Sequence, residues 1–129
     1  MTLLDTNVIS ELAKPRPNAN VIAWRRDLDR VIVSAVTIEE VAFGLTLRPS
    51  SRIDRWLDQL LAVGQVLDVT VPIARHAGVL RGQLAARGKV RGQADMLIAA
   101  TATIHGLTLA TRNVRDFDGC GITVVNPFA

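Results

Sequence analysis

Two kinds of apolar pattern alternate along this chain. Short apolar runs, typical of buried strands, lie at residues 2–5, 31–33, 66–71, 107–110 and 122–125. Between them, apolar residues recur at helical spacing over residues 8–14, 18–29, 37–46, 51–63, 72–87 and 93–105. This alternation predicts a parallel α/β sheet of about five strands with helices on both faces. With 129 residues the chain has the usual length of one domain, so we predict a single domain over residues 1–129.

An acid stands directly at the end of the first predicted strand. The segment LLDTN (residues 3–7) passes from apolar residues to an acid, a hydroxyl and an amide. Asp5 is therefore expected at the carboxyl edge of the sheet, where open α/β sheets bind their ligands. A structural role is the alternative, because Asp5 or Asn7 could cap the helix that follows. The position at a strand end favours function for Asp5, with Thr6 and Asn7 as supporting groups.

A second acid, Glu40, has two competing interpretations. Thr37 and Glu40 have the spacing of a capping box, which would explain Glu40 by helix stability alone. Glu40 also follows the second predicted strand closely, which would bring it to the same sheet edge as Asp5. The neighbouring Glu39 is expected to face solvent.

Two further acids follow later in the chain. Asp95 opens the most apolar predicted helix, where a carboxylate without a partner would be costly to bury. Asp116 lies in the polar segment after the strand at 107–110, a place where aspartate is often only a turn former. Thr111 and Asn113 in the same segment are candidate supporting residues.

If Asp5, Glu40, Asp95 and Asp116 meet in one crevice, they need a cation. Like charges so close raise each other's pKa unless a positive charge neutralises them. Ligands that are all oxygen favour hard ions, so we expect Mg²⁺, with Mn²⁺ as a second choice. Such an ion can activate water and hold a phosphate oxygen. The pattern therefore predicts hydrolysis of a phosphodiester without a covalent enzyme intermediate.

The charge, the aromatic content and the single cysteine indicate which partners and which compartment to expect. The net charge is +3 and 13 of the 15 basic residues are arginine, which suits contact with phosphate. Only five aromatic residues are present, too few for an extended base-stacking platform. The single Cys120 and the lack of a secretory leader or a long apolar run predict a cytoplasmic protein without a membrane partner. No histidine accompanies a serine or cysteine nucleophile in a triad pattern.

Four sequence blocks together resemble a known family. They are LDTNVISE (4–11), SAVTIEE (34–40), ADMLIAATA (94–102) and LATRN (109–113), the last followed by Asp116 and Phe117. In this order and spacing they resemble the PIN-domain ribonucleases, and specifically the VapC-type toxins of toxin–antitoxin pairs, the branch that includes FitB. The resemblance extends over nearly the whole chain.

The resemblance implies a metal-binding site and an activity. The acidic positions of the family fall on Asp5, Glu40, Asp95 and Asp116, with Asp5 and Asp95 as the main metal ligands. The fourth position varies within the family, so Asn113 is an alternative to Asp116, and Glu39 leaves the second position open by one residue. The implied activity is that of a Mg²⁺-dependent endoribonuclease toxin that cleaves RNA, with transfer or ribosomal RNA as the candidate targets. The arginine-bearing stretches 48–55 and 75–91 are candidate RNA contacts, or else solvated helix faces.

The resemblance also implies partners. Such toxins are usually homodimers that form larger assemblies with a small VapB-type antitoxin. A segment of the antitoxin covers the acidic site, often with a cation among the acids, and its other half binds promoter DNA. Two other functions remain open from the sequence. One is a metal-dependent phosphohydrolase acting on a small phosphate ester, and the other is a catalytically silent partner-binding domain.

Overall fold

The computed structural model describes residues 1–129 and contains five strands and six α-helices. The strands are β1 (Thr2–Leu4), β2 (Ile32–Ser34), β3 (Gln65–Leu67), β4 (Thr108–Ala110) and β5 (Val124–Val125). The helices are α1 (Thr6–Leu12), α2 (Ala19–Arg26), α3 (Ala35–Leu47), α4 (Ser51–Val63), α5 (Val71–Ala86) and α6 (Gln93–His105), and a 3-10 helix covers Val114–Phe117.

All five strands are parallel and form one sheet in the order β3-β2-β1-β4-β5. The central strand β1 pairs with β2 through Leu3 and Ile32, and with β4 through Leu3 and Leu109. The predicted parallel sheet is therefore confirmed. Because the strands are parallel, the polar residues that follow β1, β2 and β4 lie at the same edge of the sheet.

Two apolar layers cover the sheet. Leu3, Ile32 and Leu109 belong to one buried cluster, which α5 and α6 complete. Leu4 and Val33 belong to the other, together with residues of α1, α2 and α4. Successive strand residues point to opposite faces, so each short strand contributes to both layers. The predicted placement of helices on both faces is confirmed.

Helices α5 and α6 begin at or next to the residues that the sequence predicts. Helix α6 spans Gln93–His105 and ends at Gly106, whose φ of +65° is the left-handed conformation that glycine adopts without strain. Helix α5 begins after the cap Thr70 with Pro72 in its first turn. Helix α6 packs on both α5 and the sheet, and it carries Asp95 in its first turn.

Three local predictions were wrong. Helix α1 begins one residue after Asp5, which caps it, so Asn7 lies inside the helix and is not its cap. Helix α3 begins at Ala35 with Ser34 as its cap, because β2 leads directly into it, so Thr37 and Glu40 do not form a capping box. Strand β3 ends at Leu67, so Asp68 lies outside it and is exposed.

No helix has the length and apolar character needed to cross a membrane.

Candidate active site

A polar crevice of about 430 Å³ opens at the carboxyl edge of the sheet, around the ends of β1 and β4. None of the side chains that line it is hydrophobic. The lining residues are Asp5, Thr6, Asn7, Ser10, Glu11, Lys14, Glu40, Asp95, Arg112 and Asn113. The structure thus brings three of the four predicted acids into one crevice, and the fourth, Asp116, lies in the adjoining 3-10 helix.

Asp5 is buried at the base of this crevice, and both of its carboxylate oxygens accept hydrogen bonds. The backbone N–H of Thr6 donates to Oδ1 at 2.8 Å, in the manner of a helix cap. The Thr111 hydroxyl and the Asn7 amide donate to Oδ2 at 2.7 and 3.2 Å. Burial raises the pKa of Asp5, and these hydrogen bonds act in the opposite direction by stabilising the carboxylate. The carboxylate is therefore held in one orientation.

Asn7 and Thr111 connect the start of α1 with the end of β4. The Asn7 amide donates to the Thr111 hydroxyl at 3.2 Å, and its carbonyl oxygen accepts from the backbone N–H of Arg112 at 3.0 Å. The Thr111 hydroxyl also accepts from the backbone N–H of Asn113 at 3.1 Å. The two contacts of Asn7 join residues that are 104 and 105 positions apart in sequence, and they support Asp5 from the start of α1 and from the end of β4.

Glu40 reaches the crevice from the second turn of α3. The Thr6 hydroxyl donates to Glu40 Oε1 at 2.6 Å. The Thr6 and Thr37 hydroxyl oxygens are 3.1 Å apart. Since the single Thr6 proton goes to Glu40, Thr37 must donate to Thr6. Glu39 is exposed and does not line the crevice, so of the two adjacent glutamates the structure places Glu40 at the site.

Asp95 lies in the first turn of α6 and accepts no hydrogen bond within the chain. Its pKa rises to about 6, first because burial penalises the charged form and then because of the negative charges of Asp5, Asp116 and Glu40. The positive charge of Arg91 opposes this rise. The net effect of burial and of these charges is a raised pKa of Asp95, because the opposing charge of Arg91 does not cancel them.

Asp116 and Asn113 both remain candidates for the fourth position. Asp116 is exposed in the 3-10 helix after β4, and its charge contributes to the raised pKa of Asp5 and of Asp95. Asn113 lines the crevice directly. The segment after β4 thus supplies one residue that lines the crevice and one acid whose charge acts on Asp5 and Asp95.

The residues of the crevice fit a hard divalent ion by their chemistry. No group of three or more histidine, cysteine or acidic side chains is close enough together to hold an ion as the side chains stand. Mg²⁺, however, is commonly bound through one or two carboxylates and several waters. The four acids supply oxygen only, and none of them forms an ion pair, since the one ion pair of the chain joins Lys14 and Glu11.

Four residues of the crevice are absent from the sequence-based prediction: Ser10, Glu11, Lys14 and Arg112. Glu11 is buried, and its two oxygens accept from Lys14 Nζ and from the backbone N–H of Asn18, each at 2.9 Å. The Lys14 contact, followed by the Asn18 contact, lowers the pKa of Glu11. Ser10, Glu11 and Lys14 follow Asn7 at spacings of three, four and seven residues, which is one helix face. This spacing could have indicated from the sequence that Ser10, Glu11 and Lys14 lie near Asn7, and no such pattern pointed to Arg112.

Comparison with known proteins places the chain in a family. A model of the PIN domain matches residues 2–119. The chain belongs to the PIN domain family. This PIN domain is 38% identical to the VapC ribonuclease Y4jK of Sinorhizobium fredii, over 99% of the chain and 98% of that protein. It is 36% identical to Toxin FitB of Neisseria gonorrhoeae, over 99% of both. The resemblance inferred from the four sequence blocks is confirmed.

Solved structures agree with this assignment. The PIN domain superposes on FitAcB from Neisseria gonorrhoeae with a TM-score of 0.86 at 36% identity, covering 99% of each chain. The same score and identity apply to a structure of FitAB bound to an IR36 DNA fragment, with 100% and 96% covered. A more distant relative, 28% identical over 92% of this chain and 91% of its own, is the tRNA(fMet)-specific endonuclease VapC of Shigella flexneri.

Proposed function

We propose that this PIN domain is a Mg²⁺-dependent endoribonuclease and the toxin of a toxin–antitoxin pair. The observation that carries the proposal is the convergence of Asp5, Glu40 and Asp95 in one crevice, where none of the three forms an ion pair. A protein tolerates such repulsion mainly at functional sites, where a ligand relieves it. Membership of the family that contains VapC ribonucleases supports RNA as the substrate.

Asp5 and Asp95 would hold the ion, with Glu40 and either Asp116 or Asn113 beside it. A bound Mg²⁺ supplies a Lewis acid for the phosphate and lowers the pKa of water. The residues of the chain supply orientation. Thr111 and Asn7 fix the Asp5 carboxylate through hydrogen bonds to Oδ2, which leaves its direction unchanged when a ligand arrives.

Glu40 is suited to accept a proton. The Thr6 hydroxyl occupies Oε1, whereas Oε2 has no hydrogen-bond partner in the chain. One oxygen therefore positions the side chain, and the other is unoccupied. This division of roles is what a residue that receives a proton from an attacking water requires.

The proposal includes the partners of such toxins. A VapB-type antitoxin would cover the acidic crevice and place a cation among the acids, because a positive charge there relieves the same repulsion as Mg²⁺. Promoter DNA would be bound through the antitoxin, and the toxin itself would form a homodimer. The similarity to FitAB, solved on a DNA fragment, supports this assembly.

The test compares cleavage of total cellular RNA by the wild-type chain, purified free of antitoxin, with cleavage by Asp5→Asn. Each is incubated with Mg²⁺, with Mn²⁺ and with EDTA. We expect discrete fragments from the wild type with either ion, none with EDTA and none from the variant. The fragment ends identify the target, and the similarity to a tRNA(fMet)-specific endonuclease makes transfer RNA the first to be mapped.

The two adjacent glutamates provide a matched control. Glu40→Gln removes a carboxylate that accepts from Thr6 in the crevice, whereas Glu39→Gln removes an exposed one. We expect Glu40→Gln to lower kcat by at least about a hundredfold and Glu39→Gln to behave as the wild type. Calorimetric titration with Mg²⁺ should show binding that Asp5→Asn loses, independently of RNA.

Other results would favour the alternative functions. Hydrolysis of small phosphate esters without cleavage of any RNA would indicate a phosphohydrolase. Antitoxin binding with no cleavage and no Mg²⁺ binding would indicate a silent partner-binding domain. Equal RNA cleavage by the wild type and by Asp5→Asn would refute the proposed site.

A further inference from the structure

Two cations lie on the side of the crevice formed by α1 and the segment after β4. Lys14 follows the end of α1, and Arg112 follows β4, and both line the crevice that contains Asp5 and Asp95. We call Lys14 and Arg112 the cationic rim. The crevice therefore has an acidic part and a basic part. Binding of a divalent cation by the acids does not explain the basic part.

The Arg112 side chain is held in place by the carboxyl-terminal segment. Its guanidinium lies over the Phe128 ring, 4.7 Å from the ring centroid, which is a cation–π contact. The Phe128 carbonyl accepts from the Asn20 amide at 3.1 Å, and its N–H donates to Asn126 at 2.9 Å. The support under Arg112 is thus itself anchored to the start of α2.

The donors of Arg112 are free. Its guanidinium makes no hydrogen bond and no ion pair within the chain, and the residue is exposed. Its backbone N–H, by contrast, donates to Asn7 Oδ1, which fixes the base of the side chain beside Asp5. An oriented guanidinium with all of its donors unoccupied is suited to bind a phosphate through two hydrogen bonds.

Lys14 contributes a second partly free cation. Its Nζ donates to Glu11 at 2.9 Å, and the side chain is 58% exposed. An ammonium has three donors, so two remain available. Glu11 is buried and its other oxygen accepts from Asn18, so it anchors Lys14 near the crevice.

We propose that Lys14 and Arg112 bind a backbone phosphate of the nucleic-acid substrate next to the one that is cleaved. The inference rests on the proposed function. The scissile phosphate must approach Asp5 and Asp95, where a divalent ion compensates the acids. A neighbouring phosphate has no such ion, and the cationic rim is the part of the crevice that can compensate its charge.

Binding of a short single-stranded oligoribonucleotide in EDTA tests the proposal without cleavage. Each phosphate contact to a single strand contributes about −0.7 to the slope of log K, the binding constant, against log salt concentration. Relative to 1 M salt, one such contact therefore raises the affinity roughly fivefold at 0.1 M salt. We expect Arg112→Ala to weaken binding by about that factor and to make the slope shallower by about 0.7. Lys14→Ala should act in the same direction, and Arg112→Lys should restore part of the loss.

The exposed Arg26 at the end of α2, which does not line the crevice and lies outside the candidate RNA-contact stretches 48–55 and 75–91, provides the matched control. Arg26→Ala should leave both affinity and slope unchanged. Phe128→Leu removes the aromatic support and should weaken binding less than Arg112→Ala. Equal binding by Arg112→Ala and Arg26→Ala, or no RNA binding by the wild type at any salt concentration, would overturn the proposal.

Cleavage kinetics separate substrate positioning from damage to the fold. Bis(p-nitrophenyl) phosphate is a phosphodiester without a neighbouring phosphate, so Arg112→Ala should raise KM for RNA by a larger factor than it raises KM for this small substrate. Equal losses on both substrates would show that Arg112 acts on the cleaved phosphate or on the fold, and would refute binding of a neighbouring phosphate. If neither substrate is cleaved and Arg112→Ala still weakens RNA binding, the nuclease proposal fails and the cationic rim stands.

Discussion

Asp95→Asn should make this protein more stable while it abolishes activity. The Asp95 carboxylate accepts no hydrogen bond within the chain, so an amide of the same shape loses no contact. It does lose a negative charge that burial and three neighbouring acids penalise. At neutral pH the folded wild type carries this penalty and the variant does not.

The size of the effect follows from the pKa. A pKa raised from 3.8 to about 6 corresponds to about 3 kcal/mol of unfavourable interaction in the charged state. Asp95 is only half-buried, and water screens part of the repulsion, so we expect a gain of about 1–2 kcal/mol at pH 7.5. For a domain of this length that amounts to a rise of about 3–8 °C in Tm.

The pH dependence has a definite sign. Because the folded-state pKa of Asp95 lies above the unfolded value, the folded state binds more protons between pH 3.8 and about 6. The free energy of unfolding therefore falls as pH rises through this window. Asp5, whose pKa is also raised by burial, contributes in the same direction. The stabilisation by Asp95→Asn should be present at pH 7.5 and vanish near pH 4.

Urea unfolding at pH 7.5 and pH 4, in EDTA, measures this difference. Asp58→Asn removes an exposed acid of α4 and serves as the control, with an expected change within about 0.5 kcal/mol. Added Mg²⁺ should narrow the gap between wild type and Asp95→Asn, since the ion binds the folded wild type. An unchanged or lower stability of Asp95→Asn at pH 7.5 would refute the argument that uncompensated charge accumulates at this site.

Three further perturbations test individual contacts. Thr111→Val removes the hydroxyl that donates to Asp5 and should cost about 2 kcal/mol in urea unfolding, whereas Thr111→Ser should restore most of it; equal stability of all three would contradict the hydrogen-bond assignment. Gly106→Ala strains the left-handed end of α6 and should lower stability by about 1 kcal/mol in thermal unfolding, which an unchanged Tm would disprove. Burial raises the pKa of the Cys120 thiol, so a thiol reagent should label native protein far more slowly than urea-unfolded protein; rapid native labelling would argue against this burial.

The alternation of apolar patterns along the chain was enough to predict the sheet, its two helical layers and the edge at which the acids lie. Strands and helices differ in the spacing of their apolar residues, and this spacing can be recognised within a short stretch of sequence. It places Asp5 at a strand end and Asp95 at a helix start without knowledge of the fold. The parallel order follows from the alternation of elements, so a shared edge for these acids was also predictable.

The assembly of the crevice depends on contacts between residues that are far apart in sequence, and the local pattern does not show them. The Thr37 and Glu40 spacing satisfies a capping box, but α3 begins earlier because β2 leads directly into the cap Ser34. That shift frees Glu40 to accept from Thr6. The capping pattern alone cannot reveal this, because it does not fix the residue at which a strand ends.

The same limit applies to the charges. The pKa of Asp95 and the support of Arg112 by Phe128 depend on distances between residues far apart in sequence. Electrostatic and cation–π interactions depend on distances in the folded protein, whereas the spacing of apolar residues can be read directly from the sequence. The sequence pattern therefore identified the acids at the edge of the sheet, whereas the packing of the helices determined which other side chains, such as Lys14 and Arg112, lie in the crevice with them.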